Sequence, residues 1–411
     1  MLVDTLLGFT GISLACLITF FFSLRWSEVS KILIAALLIR IFVLLIGHYF
    51  ITLPDSTADA SSILRHARLF AENGFFNLLE NYPGPGFTFI RWMIAIPFSL
   101  LGPSDLLAKS ISLTLGTGSV FLGWKLAYKL WDHKIANKVG WVMAFFPSLI
   151  LYSVLTMRAV YICFFLLVAI YGVVNWAKTK KFSSICLAII GFVAATFFHG
   201  ASIVGAFIFV GILILTTINN LINSLKNYRI KLSNLILFIL LTYVFILYFS
   251  NEITIPYLRD FQSITDPDVL LRKMKKSVMG EASYPEWTIA TSPIEFLYKI
   301  PIRAIYFLFA PFPWDIKETK HIIGMFDGIL FIYLTILIFI NIKVIWRNFA
   351  LKIILLILAS YIIVFAVGVG NFGTGIRHRS KFVFMFVLLA APFINNFIFS
   401  KKIDKPKRIL E

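Results

Sequence analysis

Long apolar runs, separated by short polar connections, dominate this chain. Each run approaches the roughly 20 residues that a helix needs to cross a hydrocarbon core. Lipid offers no partner for open backbone groups, and a membrane barrel would show shorter alternating strands, so the runs predict transmembrane helices. The runs cover residues 6–22, 32–51, 139–155, 160–176, 185–217, 235–249, 322–342, 353–369 and 382–399.

Two apolar segments do not fit a simple series of crossings. Residues 86–131 hold apolar sequence for two passes, but only one crossing is allowed if the basic segment 129–138 is cytoplasmic. Polar segments flank residues 300–311 on both sides. We expect part of 85–102, and 300–311, to lie along the outer leaflet or to re-enter it. Such backbone is tolerated at membrane depth only where protein buries it or where it lines a cavity. Both segments therefore predict a cavity that opens to the outer face.

The predicted fold class is an all-α integral membrane protein. We expect a polytopic bundle of about 11–12 transmembrane helices, with interfacial or re-entrant helices in the outer loops. The sequence shows no soluble domain, solenoid repeat or low-complexity tract, so residues 1–411 are expected to form a single multi-pass membrane domain. No Lys or Arg precedes the first run, which therefore predicts a retained helix rather than a signal peptide.

Composition supports the same class. Hydrophobic residues make up 59% and charged residues 14% of the 411 residues, against roughly 45–50% and about 25% in ordinary soluble domains. Cys16, Cys163 and Cys186 all lie within apolar stretches. We expect them to be small buried side chains, not a disulfide framework or a metal site.

The formal net charge of +18 sits mostly in short connections and in the C-terminal tail. Cationic connections are typical of the cytoplasmic face of a membrane protein, where they meet anionic lipid. The charge therefore predicts a lipid bilayer as partner and no nucleic acid. The basic segments are 25–31, 129–138, 178–181, 226–231, 343–352 and 401–408.

The placement of these segments also predicts topology. With the basic connections inside, the N-terminus lies outside and the C-terminus is cytoplasmic. Outer loops are then expected at about 53–85, 250–321 and 371–381, with a brief outward hairpin around His199. The expected location is the plasma membrane, as a multi-pass protein of the bacterial inner membrane.

The first outer loop carries two carboxylates, Asp55 and Asp59, just after an apolar run. Ser61 or Ser62 begins a predicted amphipathic helix, which would lie on the membrane surface and hold a carboxylate at the lip of the cavity. In the alternative interpretation, the aspartates only cap that helix. The apolar positions at helical spacing are Ile63, Leu64, Ala67 and Phe70.

Residues 370–381 form the most unusual polar segment of the chain. Gly370, Gly373 and Gly375 allow tight backbone turns. Cations then follow on the outer side, where they are normally depleted, and guanidinium groups bind phosphate oxygens in bidentate fashion. The segment therefore predicts a phosphate or diphosphate site, with snorkelling to outer lipid headgroups as the alternative. Its members are Arg377, His378, Arg379 and Lys381.

Other polar residues are weaker candidates. Arg158, at the outer start of a helix, is expected to join the same anion site. His199, beside Gly200 at a tight hairpin, has a structural role as its leading interpretation. The residues proposed to line the cavity are His66, His199, Arg303 and Trp314.

Missing motifs narrow the chemistry. The sequence has no GxxxxGK[ST] loop, no metal-ligand spacing of His and Cys, and no GxSxG elbow, which disfavours an ATP-driven pump and a serine hydrolase. We predict no cofactor. The sequence does not decide whether a divalent metal binds, because scattered outer carboxylates bind one only if the fold brings them together.

The order of these features resembles a known family. An Asp-bearing outer loop, a short amphipathic helix and the stretch from YPGPGFTF (82–89) to TMRAV (156–160) are similar to the N-terminal half of the GT-C superfamily of membrane glycosyltransferases. The segment GIRHRSKF (375–382) is similar to an Arg-rich outer segment in related proteins of surface-polysaccharide assembly. The likeness covers the first half of the chain and this later segment.

The resemblance implies a polyprenyl-phosphate- or diphosphate-linked sugar as donor and a glycan or lipid-linked acceptor, joined on the extracytoplasmic face. By position, Asp59 matches the family's loop aspartate, the general base that deprotonates the acceptor hydroxyl, with Asp55 as its rival. The chain departs from the family pattern at one place. Many relatives have an acidic residue near the start of the helix that here begins with Arg158 and Ala159.

Three functions remain open from the sequence. The first is an inverting glycosyltransferase of cell-surface polysaccharide biosynthesis. The second is a repeat-unit polymerase of the O-antigen or capsule type, which would use the same donor chemistry. The third is a flippase or transporter of lipid-linked oligosaccharide, which the sequence disfavours because the two halves show no internal repeat of the kind common in transporters.

Overall fold

The computed structural model describes residues 2–226, 267–278 and 282–394. Helices dominate these residues, and the only β-type pairing among them is an isolated antiparallel bridge between Ser283 and Asn371. The all-α prediction is confirmed. The first half contains α1 (Leu2–Arg25), α2 (Ser27–Tyr49), α3 (Ser61–Glu72), α4 (Phe75–Glu80), α5 (Phe87–Leu101), α6 (Asp105–Leu130), α7 (His133–Phe145), α8 (Pro147–Val154), α9 (Arg158–Thr179), α10 (Phe182–Phe198) and α11 (Ile203–Lys226). The second half contains α12 (Pro267–Ser277), α13 (Phe296–Phe309), α14 (Thr319–Ile340), α15 (Ile342–Arg347), α16 (Phe349–Gly368), α17 (Phe372–Arg379) and α18 (Val383–Ala390).

In the described part of the chain, fewer helices than the predicted total are long and apolar enough to span a membrane. Within the described ranges there are 7, or 8 if the bent pair α7 and α8 counts as one span, against the about 11–12 predicted. The expected span 235–249 lies outside the described residues. The last expected span, 382–399, begins as α18 but gives way to a 3₁₀ turn at Ala391–Phe393. The seven long spans are α1, α2, α6, α9, α11, α14 and α16.

A break inside the run 139–155 replaces one expected straight helix. The chain bends by 56° between α7 and α8, where Pro147 has no N–H to continue the helical ladder. The buried guanidinium of Arg40 donates from Nη1 to Ala144 O at 3.0 Å and from Nη2 to Met143 O at 3.3 Å. A cation inside a membrane span therefore satisfies carbonyls that the break leaves open.

The two segments that did not fit a crossing are short helices. α5 has 15 residues and α13 has 14, about 22 Å of helix at most, which is too short for a hydrocarbon core of about 30 Å. The amide of Gly86, before α5, donates to Phe197 O at the end of α10. Ser104, after α5, donates to Asp4 O at the start of α1. Both ends of α5 thus lie at one end of the bundle, as predicted.

The basic connections gather at the opposite end. Lys178, at the end of α9, donates to Lys129 O at the end of α6. The ammonium group of Lys180 lies 4.4 Å from the ring centroid of Phe349, where α16 begins. Lys125 lies 5.4 Å from the ring of Trp26, between α1 and α2. One end of the bundle is therefore cationic, and the outer-loop elements lie at the other.

The amphipathic helix predicted near Ser61 is α3. It buries the apolar positions Ile63, Leu64 and Ala67 and leaves Arg65 and Arg68 exposed. A turn with π-helical hydrogen bonding, Ser56–Ala60, leads directly into it. The helix prediction is confirmed, and the π turn fixes the direction in which Asp59 leaves the backbone.

The glycine-containing segment 370–381 forms a helix instead of the expected turns. Asn371 caps α17 by accepting hydrogen bonds from the amides of Gly373 and Thr374 at 2.8 and 3.2 Å, a favourable N-cap arrangement. The amide of Tyr284 also donates to Gly370 O at 2.8 Å. Local capping and pairing with the preceding loop therefore outweigh the low helix propensity of the glycines.

Candidate functional site

A cavity of about 590 Å³ opens between the loop after α2, the start of α8, the start of α14 and α17. We call it the main cavity. Its polar wall combines carboxylates from two distant parts of the chain with a cation from a third. The charged or potentially charged residues among those that line it are Asp55, Asp59, His321, Asp327 and Arg377.

Asp59 and Arg377 form an ion pair across the main cavity. Asp59 comes from the π turn before α3 and Arg377 from α17, 318 positions later in the chain. Their side chains are 40% and 23% exposed, so the pair is in contact with the cavity and not sealed in the protein. The structure therefore brings together the two groups that the sequence predicted as base and anion ligand.

A small basic pocket of about 20 Å³ adjoins this pair, and Asp59 and Arg377 line it as well as the main cavity. Its other lining residues come from α3, from α5, from the start of α9 with the residue before it, from α17 and from the segment after α17. The ion pair is thus the boundary between a mainly acidic space and a mainly basic one. The remaining residues of the basic pocket are Ile63, Phe87, Met157, Arg158, Ala159, His378 and Lys381.

Arg158 is held in the basic pocket by the backbone carbonyl of Phe198 and by the aromatic ring of Phe87. Its Nη1 donates to Phe198 O at 3.1 Å, and its guanidinium carbon lies 4.4 Å from the ring centroid of Phe87. Arg91 approaches the same ring at 4.3 Å. Phe87 therefore lies between two cations, a favourable cation–π arrangement that fixes Arg158 beside Arg377.

Lys381 is buried at the other wall, beside the half-buried His378. Lys381 Nζ lies 2.6 Å from His378 Nδ1. Burial first, and then the charges of Arg158 and Arg377, lower the pKa of Lys381 well below its ordinary value. Burial and Lys381 likewise lower the pKa of His378. An anion placed here would offset the mutual repulsion of these cations, because an opposite charge nearby favours the protonated form.

Arg379, two residues after Arg377, points into the protein interior. Its Nε and Nη2 both lie 3.0 Å from Asp327 Oδ2, and its Nη1 donates to Leu308 O and Ala310 O at 2.7 and 2.8 Å. The Arg379 and Asp327 side chains are 0% and 2% exposed. The structure therefore does not bring Arg379 into the predicted anion site, because Asp327 and the last carbonyls of α13 occupy its donors.

Arg303 has a comparable interior position. Its Nε donates to Ala366 O at 2.9 Å and its Nη2 to Val369 O at 2.7 Å, next to the end of α16. It is fully buried and is not among the residues lining the main cavity. The cavity-lining role predicted for it gives way to a structural one, because carbonyls at a helix end have no intrahelical donor.

The other three residues proposed to line the cavity are also outside its wall. His66 Nδ1 lies 2.7 Å from Ser62 O on the same helix. Trp314 is 73% exposed and stacks on Phe312 at 4.9 Å, as expected of an interfacial side chain. His199 is half-buried beside the basic pocket, with its ring 5.1 Å from that of His378. Of the three, only His199 lies close to the candidate site.

Asp55 lines the main cavity but has a different partner from Asp59. Tyr152 Oη, from α8, donates to Asp55 Oδ2 at 2.8 Å. Asp55 has φ 63°, a left-handed conformation that aspartate adopts more readily than most residues other than glycine. The tyrosine therefore fixes Asp55 at the cavity wall, separate from the cations that surround Asp59.

A second large cavity, of about 520 Å³, lies on the other side of the π turn. We call it the side cavity. Thr52 and Thr57 line both large cavities. Most of its remaining lining residues come from the end of α2, from α3 and from the start of α6. The remaining lining residues are Gly47, His48, Tyr49, Phe50, Ile51, Ser56, Ala60, Ser61, Leu64, Arg65, Arg68, Asp105, Lys109 and Leu155.

Two site residues were missed at the sequence level. Asp327 lies within the apolar run 322–342, and an acidic residue inside a membrane span is costly enough to signal a site or a partner. The position of Asp327 within an apolar run was therefore sufficient to predict it as a site residue. Tyr152 gave no such signal, because an aromatic residue in an apolar run is ordinary. Among the described residues, no three His, Cys, Asp or Glu side chains come together as a metal-binding group.

Comparison with known proteins gives no family for this arrangement, since no family model matches the chain and no curated protein matches it.

Proposed function

We propose that the protein is a membrane glycosyltransferase that transfers a sugar from a polyprenyl-phosphate-linked donor to a glycan or lipid-linked acceptor. The observation that carries the proposal is the Asp59–Arg377 pair at the boundary between the main cavity and the basic pocket. A carboxylate beside a group of cations supplies the two poles that this transfer needs. The resemblance of the first half of the chain to the GT-C superfamily supports the same reaction.

In the proposed reaction, Asp59 accepts the proton of an acceptor hydroxyl. The acceptor oxygen forms a bond to the anomeric carbon of the sugar while the bond from that carbon to the phosphate oxygen breaks. The bonding pair leaves with the lipid phosphate, and the configuration at the anomeric carbon inverts. A positioned base contributes about 10²- to 10⁴-fold to such a step.

The cations of the basic pocket have the complementary role. Arg158, Lys381 and Arg377 stabilise the negative charge that grows on the departing phosphate, as preorganised charges do in a site that excludes water. Phe87 and Phe198 already hold Arg158 in place, and the basic pocket, whose volume is about 20 Å³, widens when the phosphate binds. His378 positions the ammonium group of Lys381.

The ion pair itself links donor binding to catalysis. A donor phosphate in the basic pocket attracts the Arg377 guanidinium, which can then bind phosphate oxygens in bidentate fashion. Asp59 loses its partner in the same movement and becomes available as a base. Donor binding thus prepares the base for the acceptor hydroxyl.

The proposed orientation follows from the two ends of the bundle. The cationic end, with the connections around Lys129 and Lys180, faces the cytoplasm by the positive-inside rule. The main cavity then opens on the extracytoplasmic face of the plasma membrane, with the N-terminus outside. A lipid-linked donor suits that face, because the proposed reaction does not require a nucleotide sugar.

The test is a transfer assay with the full-length protein in nanodiscs. It is supplied with a set of radiolabelled polyprenyl-phosphate sugars and with lipid extract from the source membrane as acceptor. Transfer of one sugar per acceptor, with lipid phosphate released, supports the proposal. A ladder of repeat units identifies a polymerase instead, and movement of labelled lipid across a liposome bilayer without a new glycosidic bond identifies a transporter.

A further inference from the structure

The side cavity is strongly cationic, in contrast to the main cavity. Its wall carries Arg65, Arg68 and Lys109 and a single carboxylate, Asp105. Arg68 Nη2 lies 2.7 Å from Asp105 Oδ1, so that carboxylate is already paired. Two positive charges remain on the wall, those of Arg65 and Lys109, and they favour an anionic ligand.

Lys109 has only a weak partner within the side cavity. Its Nζ lies 3.2 Å from His48 Nδ1, and an ammonium group has three donors to place. Asp4 is the other carboxylate near it, but Asp4 does not line the cavity. A phosphate oxygen would be a suitable acceptor for the donors that His48 does not use.

The rim of the side cavity is apolar where α2 ends. Tyr49, Phe50 and Ile51 line it and are 48%, 81% and 56% exposed. They follow a helix long and apolar enough to span the membrane, so they lie where that helix meets the membrane surface. A basic wall beside an exposed apolar rim fits a ligand with an anionic head and a hydrocarbon tail.

The side cavity adjoins the candidate active site. Thr52 and Thr57 line both large cavities, and the turn Ser56–Ala60, which carries Asp59, separates them. A volume of about 520 Å³ exceeds the need of a phosphate alone and leaves room for the first part of an attached head group. A ligand held here can extend over the turn towards Asp59.

We propose that the side cavity binds the phosphate of a lipid-linked acceptor. This inference rests on the proposed transferase function and narrows its acceptor to a polyprenyl phosphate or diphosphate glycan. The donor phosphate then lies in the basic pocket on one side of Asp59 and the acceptor phosphate in the side cavity on the other. The acceptor hydroxyl reaches the main cavity between them.

The experiment counts bound lipids by native mass spectrometry of the full-length protein released from nanodiscs. The probe is a long-chain polyprenyl phosphate, with phosphatidic acid and inorganic phosphate as competitors. The side-cavity variant is R65Q/K109Q, and the single variant R65Q, which changes only an exposed side chain, covers a failure of the double variant to fold. R158Q weakens the basic pocket, and K275Q removes an exposed cation that lines none of these cavities.

Two polyprenyl phosphates are expected to bind to the wild type and to K275Q. One is expected for R65Q/K109Q and one for R158Q, with the lost site weakened about tenfold or more. Two binding events that survive in R65Q/K109Q and in R65Q overturn the inference. So does equal displacement by phosphatidic acid, which would mark a general phospholipid site, or by inorganic phosphate, which would mark a simple anion site.

Failure of the underlying function gives a different pattern. If the protein is not a transferase, the wild type transfers no sugar although both lipids bind. If only this inference fails, sugar transfer persists in R65Q/K109Q with an unchanged KM for the acceptor.

Discussion

Two aspartate–arginine pairs connect α17 to the wall of the main cavity, and they differ in their surroundings. Asp59–Arg377 is 40% and 23% exposed and lies between the main cavity and the basic pocket. In Asp327–Arg379 the aspartate and the arginine are 2% and 0% exposed. The two arginines are only two positions apart in the sequence.

The two pairs differ in what the remaining N–H donors of each arginine contact. Arg379 also donates to carbonyls at the end of α13, so its pair is a structural connection between α13, α14 and α17. Arg377 lines two cavities, where another anion can compete for its guanidinium. A dense group of cations in a sequence therefore does not reveal which of them bind a ligand. The hydrogen-bond partners of each guanidinium group in the structure do reveal it.

The largest expected effect is the loss of sugar transfer when the Asp59 carboxylate is removed. Asp59→Asn keeps the shape of the side chain but removes the base, so single-turnover sugar transfer should fall by about 10²- to 10⁴-fold. Thermal unfolding in detergent should change little, because a partly exposed ion pair contributes about 1 kcal/mol or less. The matched control is Glu72→Gln, an exposed carboxylate on α3, which should transfer at the wild-type rate. Full activity of the Asp59 variant would remove this residue from the role of base.

The second effect concerns stability. Arg379→Gln leaves Asp327 buried without its cation, and breaking a buried pair in this way costs about 3–5 kcal/mol. The free energy of unfolding in detergent should fall by that order. Combining it with Asp327→Asn should restore part of the loss, since no uncompensated charge then remains. If Arg379→Gln instead left stability unchanged and weakened donor binding, the two arginines would have exchanged roles.

The third effect is on donor affinity. Arg377→Gln removes a cation that we place on the phosphate, so binding of a polyprenyl-phosphate sugar should weaken about tenfold to a hundredfold. Unfolding should remain close to that of the wild type. Microscale thermophoresis with a labelled donor in nanodiscs measures this difference. Unchanged affinity would assign Arg377 to the headgroups of outer lipids.

The smallest effect is a pH dependence. Burial and the neighbouring arginines lower the pKa of Lys381, and a bound phosphate raises it again. Donor affinity should then be highest below the lowered pKa and fall as the pH rises through the pKa of the complex. One linked proton limits the slope to about tenfold per pH unit. A phosphodiester donor does not itself titrate there. The Lys381→Met variant should lose this slope, and a slope that persists would assign it to His378 or His199.

Hydrophobic pattern was sufficient to predict much of the fold. The periodicity of Ile63, Leu64 and Ala67 predicted α3. The number of crossings allowed between the basic connections singled out the segment that forms α5, and polar flanks singled out the segment that forms α13. The break at Pro147 was not predicted, although a proline inside an apolar run is a local signal for one. Its stabilisation by Arg40, whose partners Met143 and Ala144 are distant in sequence, could not be predicted. Such long-range compensation of backbone groups has no local signature.

The candidate site could be predicted in composition but not in detail. Asp59 and Arg377 were identified from residue type and loop position, yet no sequence pattern distinguished the role of Arg377 from that of Arg379. On a helix, residues two positions apart point about 200° away from each other, so separation requires knowing that 372–379 is helical. The glycines concealed that, because their helix propensity is low.

The most direct test of this account is an experimental structure of the full-length protein with a polyprenyl phosphate bound in a nanodisc. The account predicts that the phosphate oxygens lie within hydrogen-bond distance of Arg158, Arg377 and Lys381, and that the Asp59 carboxylate has separated from Arg377. A phosphate bound away from this pocket, with the Asp59–Arg377 pair intact, would contradict it.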